Sequence, residues 1–361
     1  MLTLEKIEIR GALVPKEIPI VAKVGQFSEW PFVIVDVYTK EGIIGTSYLE
    51  PYVKDSIHAI AGLTKIVESQ FKGKKISPYN FYETAMKTFH LNGREGLTII
   101  TLAGLDMAIW DALGKALNAP LVTLLGGEPG SIRAYNTNGL WLIPLDKIEE
   151  QATHLVNQGD FKAIKIRLGR EKLEDDIKAI SLVRKSVGED IILMSDFNQG
   201  YTLGEAQIRM KDLDDQNLYW FEEPIVYDDY AGYSQLKERI KTPITFGENI
   251  YGSRSFLKAI QERCSDLIMP DLMRIGGVTG WMRSAAIAGA ANIPLSSHLY
   301  PDISAQLLRV SESADWLEWS DWISPILENP IKVKNGIAET SDLPGLGLKW
   351  NEAKIKELQY F

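Results

Sequence analysis

A repeated alternation of strands and helices is the feature of this sequence that most limits its fold. From residue 131 onward, eight apolar segments recur at intervals of about 25 residues, with helical patterns between most of them. The segments are RAYNTNGL, AIKIRLG, IILMSDFN, LYWFEEP, PITFGEN, LIMPDLMRIGG, IPLSSHLY and DWLEWSD. Parallel strands joined by helices in this number are typical of a closed barrel rather than an open sheet. The sequence therefore predicts an α/β fold with an eight-stranded TIM-type barrel over residues 131–328.

The region before the repeat has a different pattern. LTLEKIEI and PFVIVDVYT have the composition of strands, and the second continues through a turn at residues 40–42 into IIGTSYL, as a hairpin would. Residues 97–117 have the pattern of a long helix, and the glycine-rich LLGGEPGS indicates a boundary near residue 130. We therefore predict an α+β domain over residues 1–130. The C-terminal segment, residues 329–361, lies beyond the last repeat, and we expect it to return to the first domain.

Polar side chains recur at one position of the repeat, the C-terminal end of each predicted strand. These residues are Lys165, Arg167, Asp196, Asn198, Glu222, Glu248, Asp271, His298 and Glu318. In a parallel barrel the C-terminal ends of all strands meet at one rim, and the active sites of such barrels lie there. The sequence therefore predicts that these side chains form one site.

Three of these residues, Asp196, Glu222 and Glu248, are carboxylates at equal intervals on three consecutive predicted strands. Three converging carboxylates cannot all stay ionised without a cation. Oxygen ligands that leave room for water and substrate suit Mg²⁺. Zinc is disfavoured, because no cysteine or second histidine lies at the rim. Each acid alone could equally be a solvated residue at a strand end, so the register of all three is what favours a metal site.

Two cations and one histidine complete the predicted rim. Lys165 and Arg167 are two positions apart on one strand, so their side chains point to the same face and require a nearby anion. The imidazole of His298 titrates near neutrality, and Asp271 on the preceding strand could fix its tautomer and raise its basicity. A packed core histidine without chemistry remains the alternative for His298. We assign no chemistry to the other three histidines.

Charge and composition exclude several classes of protein. The net charge is −9 and the pI is about 5.2, so the chain offers no broad basic face to nucleic acid or to an anionic membrane. Its single cysteine, Cys264, excludes an intrachain disulfide and fits a reducing compartment. Glu5 and Lys6 interrupt the place where a signal peptide would be apolar, and no apolar run is long enough to span a membrane. We therefore expect a soluble, cytoplasmic protein.

Several motifs make the chain resemble the mandelate racemase branch of the enolase superfamily, nearly end to end. They are LAGLDMAIWDALGK (102–115), DFNQ (196–199), FEEP (221–224), MPDLMRIGGVTGW (269–281), SSHLY (296–300), DWLE (315–318) and DLPGLG (342–347). The resemblance implies an α+β capping domain, built from both chain ends, over a modified (β/α)8 barrel. It also implies removal of the proton α to a substrate carboxylate, with the resulting enolate held by Mg²⁺ and cationic side chains.

The resemblance assigns catalytic roles at the rim. The residues that match the metal ligands of the family are Asp196, Glu222 and Glu248. Lys165 matches the cation that contacts the substrate carboxylate. His298, supported by Asp271, matches the base on one face of the substrate. Glu318 matches the carboxylic acid that hydrogen-bonds the enolate oxygen.

The resemblance also implies contacts to the substrate. Asn198 matches a polar residue beside it, and Trp30 and Tyr52 of the capping domain should line the pocket and exclude water. The partner implied is a small carboxylate substrate. By analogy with the family, we also expect a homo-oligomer.

Three departures from the family pattern bear on the activity. Arg167 stands where mandelate racemase has a lysine that serves as the base for the opposite face, and a guanidinium is a poor base at neutral pH. Gly139 stands where the racemase has a serine near the substrate carboxylate. KVGQFSEWP, residues 23–31, aligns with the apolar specificity loop of the racemase but adds polar residues, which either hydrogen-bond substrate hydroxyls or belong to a solvated loop.

Three interpretations therefore remain open. The first is a Mg²⁺-dependent dehydratase of a polyhydroxy acid such as a sugar acid, which needs one base and an acid for the departing hydroxyl. The second is a racemase or epimerase of a 2-hydroxy acid, which needs a base on each face and would use Arg167 or Lys165 as the second one. The third is a barrel that binds an acid without converting it, against which the intact metal ligands and base argue.

Overall fold

The computed structural model describes residues 2–361. Its N-terminal part is a four-stranded antiparallel sheet in the order β3-β2-β1-β4, packed against helices. The strands are β1 (Leu2–Ala22), β2 (Gly25–Thr39), β3 (Ile44–Leu49) and β4 (Lys75–Ile76), and the helices are α1 (Ser56–Phe71), α2 (Pro78–Thr88), α3 (Leu97–Leu117) and α4 (Leu121–Leu124). This α+β cap is the one that the sequence predicts.

Two hairpins form most of the cap sheet. β2 and β3 pair in antiparallel register, with Tyr38 opposite Ile44 beside the turn, so the predicted hairpin is confirmed. β1 and β2 are both long and join through a turn at residues 23–24. Segment 23–31 is therefore this turn and the start of β2, and the expectation of a loop is wrong. Pairing with β1 satisfies backbone groups that a loop would leave to water.

The second part of the chain alternates strands and helices. The strands are β5 (Ser131–Asn136), β6 (Ala163–Arg167), β7 (Ile192–Asp196), β8 (Phe221–Glu222), β9 (Ile244–Phe246), β10 (Leu267–Ile268) and β11 (Leu317–Trp319). The α-helices are α5 (Ile148–Asn157), α6 (Leu173–Val187), α7 (Leu203–Leu213), α8 (Tyr230–Lys237), α9 (Gly252–Gln261), α10 (Leu272–Ile275), α11 (Gly277–Ala290) and α12 (Pro301–Leu308), with short 3₁₀ helices at Leu145–Lys147 and Ser324–Ile326.

Parallel pairing connects these strands around a ring. β5 to β10 pair in sequence order. Single bridges at Leu295 then continue the pairing to Ile268 on one side and to Ala314 on the other, and β11 pairs with β5. The eight predicted segments are thus neighbours in the predicted order, and their C-terminal ends meet at one rim.

Helix α3 fixes the cap to the barrel. The expectation that no apolar run is long enough to span a membrane is wrong for this helix, whose length and composition would suffice. However, 83% of its most apolar 18-residue window is buried inside the protein, as in a core helix. Asp106 on α3 accepts hydrogen bonds from the backbone and hydroxyl of Thr279 in the barrel, at 2.9 and 2.6 Å. Asp111, further along the helix, accepts from the backbone of Leu346 at 2.7 Å. Buried carboxylates with such partners hold two parts of the molecule together.

The C-terminal segment contacts both parts of the molecule. It contains β12 (Val333–Lys334), β13 (Ile337–Glu339) and α13 (Glu352–Glu357). β13 pairs antiparallel with the start of β5, and Gln359 forms a bridge with Ala12 on β1. The chain end therefore reaches the cap, while the domain borders at residues 130 and 328 remain predictions.

Candidate active site

A cavity of about 310 Å³ lies between the cap and the C-terminal rim of the barrel. The predicted site residues that line it are Lys165, Arg167, Asp196, Asn198, Glu248, His298, Glu318, Trp30 and Tyr52. The other two lie behind this wall, where Glu222 contacts Lys165 and Asp271 contacts His298. The structure thus brings every predicted site residue to one place.

Asp196, Glu222 and Glu248 form an acidic cluster at the rim. One carboxylate oxygen from each residue lies within 4.8 Å of the other two, and all three side chains are buried. Asp196 ends β7, Glu222 ends β8, and Glu248 follows β9, so adjacent strands present the three oxygens. Convergent carboxylates of this kind fit Mg²⁺, which prefers oxygen ligands.

The charges in this cluster favour a bound cation. Burial raises the pKa of Glu222 well above its ordinary value, and Asp196 and Glu248 add to that rise while Lys165 opposes it. Burial likewise raises the pKa of Asp196. Carboxylates this close cannot all ionise unless a cation offsets their charge. The electrostatics and the donor chemistry therefore agree on a divalent ion.

Lys165 is the central cation of the rim. Its Nζ lies 2.9 and 3.1 Å from the two carboxylate oxygens of Glu222, 2.7 Å from Glu318 Oε1 and 3.6 Å from Asp196 Oδ2. Burial lowers the pKa of Lys165, but these carboxylates raise it by more, so it lies above the ordinary value. Lys165 therefore stays protonated at neutral pH, which suits an anion-binding role and not that of a base.

Arg167 turns most of its guanidinium away from the acidic cluster. Nη1 donates to the carbonyl oxygens of Thr137 and Gly139 at 3.0 and 3.4 Å, and Nη2 donates to Thr137 Oγ1 at 2.7 Å. The guanidinium carbon lies 3.8 Å from the ring centre of Trp141. Nε alone faces the cluster, 3.5 Å from Asp196 Oδ2. The expectation that Arg167 points with Lys165 to a nearby anion holds only for Nε, because the loop after β5 supplies acceptors for the other nitrogens.

His298 and Asp271 form the predicted pair. His298 Nδ1 lies 2.9 Å from Asp271 Oδ2, and Nε2 lies 3.2 Å from Glu248 Oε2. Asp271 is fixed in turn, because the backbone N–H of Arg274 donates to its Oδ1 at 2.9 Å. Burial lowers the pKa of His298, but Glu248 and Asp271 raise it by more, to about 10. Nε2 can accept a substrate proton only once a cation bound by Glu248 offsets the negative charge that raises this pKa; Nδ1 then keeps the proton that it shares with Asp271.

Glu318 and Asn198 are each held by a neighbour. The backbone N–H of Leu299 donates to Glu318 Oε2 at 2.8 Å. Burial raises the pKa of Glu318, but nearby cations, Lys165 first, lower it by more, so the group is a carboxylate. Its predicted donation to an enolate oxygen therefore first requires a proton. Asn198, with a left-handed φ of 44°, donates Nδ2 to Asp196 Oδ2 at 2.9 Å and so orients a member of the acidic cluster.

The wall opposite the charged rim is aromatic. The rings of Trp30 and Tyr52, which were predicted to line the pocket, lie 5.0 Å apart. Trp322 of the barrel lies 4.9 Å from Trp30 and 6.2 Å from Trp141. The other apolar residues on the cap side of the cavity are Ile20, Ala22, Val24, Phe27 and Val53. The far end of a ligand would therefore meet mainly apolar surface.

The polar residues of segment 23–31 do not reach this wall. Gln26, Ser28 and Glu29 are not among the residues that line the cavity, and Glu29 is exposed. Of the two interpretations of this segment, the structure favours solvated side chains over contacts to substrate hydroxyls.

Two charged residues of the site were missed in the sequence. Arg274 lines the cavity, lies 4.9 Å above the ring of Tyr52 and donates Nη1 to the carbonyl oxygen of Glu248 at 3.2 Å. Glu223 is fully buried, and Asn249 Nδ2 donates to it at 2.7 Å and to Glu248 at 3.1 Å. Both residues lie in quoted motifs, MPDLMRIGG and FEEP. The signal that could have found them is a charge inside an otherwise apolar segment.

Gly139 does not lie where a side chain would contact the substrate. A Cβ at this position would lie 3.0 Å from Gln151 Oε1, and Gly139 does not line the cavity. Its carbonyl oxygen accepts from Arg167 instead. The position therefore acts through its backbone, so the missing serine leaves the cavity wall unchanged.

Comparison with protein families gives two matches that together cover most of the chain. Residues 6–126 match the mandelate racemase/muconate lactonizing enzyme N-terminal domain. Residues 147–354 match the enolase C-terminal domain-like family. These ranges correspond to the cap and to the barrel with most of the C-terminal segment.

Solved structures and curated relatives agree with these matches. An enolase from the alpha proteobacterium BAL199 with bound Mg is 43% identical, with a TM-score of 0.97 and full coverage of both chains. An enolase from Bradyrhizobium complexed with magnesium and mandelic acid is 36% identical, with a TM-score of 0.95, and covers 100% of this chain and 99% of that one. L-talarate/galactarate dehydratase of Salmonella typhimurium is 30% identical over 262 residues, 72% of this chain and 65% of that protein. Magnesium in these neighbours, together with the acidic cluster, confirms the predicted cofactor.

Proposed function

The chain belongs to the mandelate racemase/muconate lactonizing enzyme family of the enolase superfamily, and on that premise we propose that it dehydrates a 2,3-dihydroxy acid. It is a Mg²⁺-dependent enzyme whose relatives are dehydratases, cycloisomerases and racemases. In this proposal the product is a 2-keto acid. The observation that carries it is that His298 alone, of the groups around the cavity, is arranged as a base.

The reaction begins with proton transfer to His298. Nε2 takes the proton α to the substrate carboxylate, while Asp271 holds Nδ1–H and stabilises the imidazolium that forms. Lys165 attracts the substrate carboxylate and the charge that develops on it. Held by Asp196, Glu222 and Glu248, Mg²⁺ would supply the positive charge that stabilises an enolate.

Elimination completes the reaction. The bond between C3 and its hydroxyl oxygen breaks, the imidazolium of His298 returns its proton, and the hydroxyl leaves as water. The remaining enol takes the keto form, so atoms and charges balance without another reactant. One histidine therefore serves as base and then as acid.

A racemase needs a second base, and the two rim cations are poorly suited to that role. Lys165 is paired with carboxylates that keep it protonated. Arg167 is a guanidinium with both terminal nitrogens bonded to the loop after β5. This difference between the two faces supports dehydration over racemisation.

The aromatic wall restricts the substrate further. Trp30, Tyr52, Trp141 and Trp322 offer mostly ring surface to the part of the substrate beyond C3. Hydroxyls buried there would lack partners, at a cost of about 1–3 kcal/mol each. The proposal is therefore a short acid with its hydroxyls near the rim and an apolar or small far end, and not a long sugar diacid. The name of the Salmonella typhimurium relative supports the reaction class only.

A racemase or epimerase of a 2-hydroxy acid is the second candidate. Two observations favour it, the apolar wall of the cavity and the Bradyrhizobium enolase that was solved with mandelic acid. Such an enzyme would need Arg167 or Lys165 to exchange a proton on the opposite face.

Reactions in D₂O with Mg²⁺ distinguish the candidates. A library of 2,3-dihydroxy acids is screened for 2-keto acid, and both enantiomers of 2-hydroxy acids are followed by NMR for α-deuterium. Formation of 2-keto acid supports the dehydratase. Exchange of both enantiomers at similar rates without loss of hydroxyl would replace it with the racemase.

A further inference from the structure

Trp30 is at the centre of the aromatic wall. Its ring lies 5.6 Å from Phe27, 5.0 Å from Tyr52 and 4.9 Å from Trp322. The first two rings belong to the cap and the third to the barrel, so this one indole contacts both parts of the molecule over the cavity. Because Trp30 is only 2% exposed, its ring N–H needs an acceptor inside the protein.

Glu50 supplies that acceptor. Its Oε2 lies 2.7 Å from Trp30 Nε1, and the residue is itself 2% exposed. Glu50 directly follows β3, two residues before Tyr52. Its backbone N–H donates to the hydroxyl of Tyr300 at 3.0 Å, and Tyr300 lies two residues after His298. Glu50 therefore joins the aromatic wall to the segment that carries the base.

Packing alone gives no reason for a carboxyl at this position. Burial raises the pKa of Glu50 to about 8, and an aliphatic side chain would fill the space without that desolvation cost. Among residues 2–361, Trp30 is the side chain that hydrogen-bonds this carboxyl. The contact with the indole is thus what the carboxyl provides.

We infer that Glu50 is a positioning residue that sets substrate selectivity, because it holds Trp30 in the wall against which the far end of a 2-hydroxy acid packs. The ligand in this inference rests on the proposed function, whereas the contact between Glu50 and Trp30 does not. Leucine at position 50 would leave a buried indole N–H without an acceptor, so Trp30 would move and the wall would open. Glutamine keeps a side-chain oxygen that can accept.

Calorimetric titration with Mg²⁺ present tests the selectivity. The probes are lactate, which has no group beyond C3, and 3-phenyllactate, which carries a ring there. In the unmodified protein 3-phenyllactate should bind the tighter. Glu50→Leu should reduce that preference by roughly tenfold, a loss of about 1.4 kcal/mol, and leave lactate binding within about twofold. Glu50→Gln should retain most of the preference.

A double-mutant cycle shows whether Glu50 acts through Trp30. Trp30→Phe should reduce the preference for 3-phenyllactate over lactate about as much as Glu50→Leu does. The double variant should show no further reduction. Additive losses in the double variant, or an undiminished preference in Glu50→Leu, would overturn the inference.

A measurement without ligand separates this inference from the proposed function. The fluorescence emission of Trp30 is obtained by subtracting the spectrum of a protein that carries Trp30→Phe from the spectrum of the same protein with Trp30. This subtraction is made in three backgrounds: the unmodified protein, Glu50→Gln and Glu50→Leu. The inference expects a red shift and stronger acrylamide quenching with Glu50→Leu alone. Unchanged Trp30 emission in Glu50→Leu would refute the positioning role. If the unmodified protein binds neither probe and forms no 2-keto acid from the 2,3-dihydroxy acid library while this shift is observed, the proposed function fails and the positioning role stands.

Discussion

Both terminal nitrogens of Arg167 donate hydrogen bonds to one residue, Thr137: Nη1 donates to its carbonyl oxygen at 3.0 Å and Nη2 to its Oγ1 at 2.7 Å. Stacking on Trp141 holds the same guanidinium against the loop after β5. A guanidinium whose terminal nitrogens are all engaged as donors is a poor proton acceptor. The two faces of a bound substrate are therefore expected to behave differently.

Arg167→Lys should make the second face reactive. An ammonium at this position is partly desolvated and lies near the cation Lys165, and both effects lower the pKa of a lysine toward the range of a base once bound Mg²⁺ offsets the charge of Asp196. We expect α-deuterium uptake from D₂O in one enantiomer of a 2-hydroxy acid for the unmodified enzyme. Arg167→Lys should raise the rate for the other enantiomer by roughly tenfold or more, as followed by proton NMR.

Thr137→Val is the matched control for Arg167→Lys. It removes the hydroxyl that accepts from Nη2 but keeps the arginine and the carbonyl acceptor. Exchange should stay confined to one enantiomer. Equal exchange of both enantiomers by the unmodified enzyme would show that the one-base interpretation is wrong.

Removal of Mg²⁺ should abolish turnover, because the acidic cluster needs a cation to stay ionised. Glu222→Gln should weaken Mg²⁺ binding by roughly tenfold or more, since one anionic ligand becomes neutral. Isothermal titration after treatment with EDTA measures this effect. Glu189→Gln, at an exposed position, is the control and should bind Mg²⁺ like the unmodified protein. Full turnover after exhaustive chelation would refute the metal assignment.

His298→Asn should lower turnover by roughly 10²- to 10⁴-fold, the usual contribution of a positioned base. Mg²⁺ affinity should change little, because His298 is not part of the acidic cluster. Asp271→Asn should have a smaller effect on turnover and move the acid limb of the pH–rate profile to lower pH, because Asp271 helps to raise the pKa of His298. Wild-type turnover by His298→Asn on the true substrate would remove His298 as the base.

The buried Glu50 should make stability fall as pH rises. Burial raises its pKa from 4.5 to about 8, so between these values the folded state keeps a proton that the unfolded state has lost. The free energy of unfolding then decreases with pH in this window, by at most about 1.4 kcal/mol per pH unit. Urea unfolding from pH 5 to 8 with EDTA present should show a steeper decrease for the unmodified protein than for Glu50→Gln. Equal slopes would contradict the expectation.

Much of the fold and of the candidate site follows from the sequence alone. The eight apolar segments and their helices predict the barrel because burial of a parallel sheet on both faces requires such segments. Since strand ends meet at one rim, Asp196, Glu222 and Glu248 converge without any knowledge of side-chain contacts. The same topology brings Asp271 next to His298. The hairpin of β2 and β3 was predictable for a local reason, since its turn and alternating strands adjoin in the chain.

Only the tertiary structure determines the contacts of the other side chains around the site. The sequence places Arg167 on the same strand face as Lys165, yet Thr137 and Trp141 hold most of its guanidinium away from the acidic cluster. Pairing with β1 turned segment 23–31 into a strand. The contact of Trp30 with Glu50 and the ring of Trp322 joins parts of the chain that no local pattern relates. Periodicity and strand-end position are local properties, whereas these contacts depend on how the cap packs on the barrel.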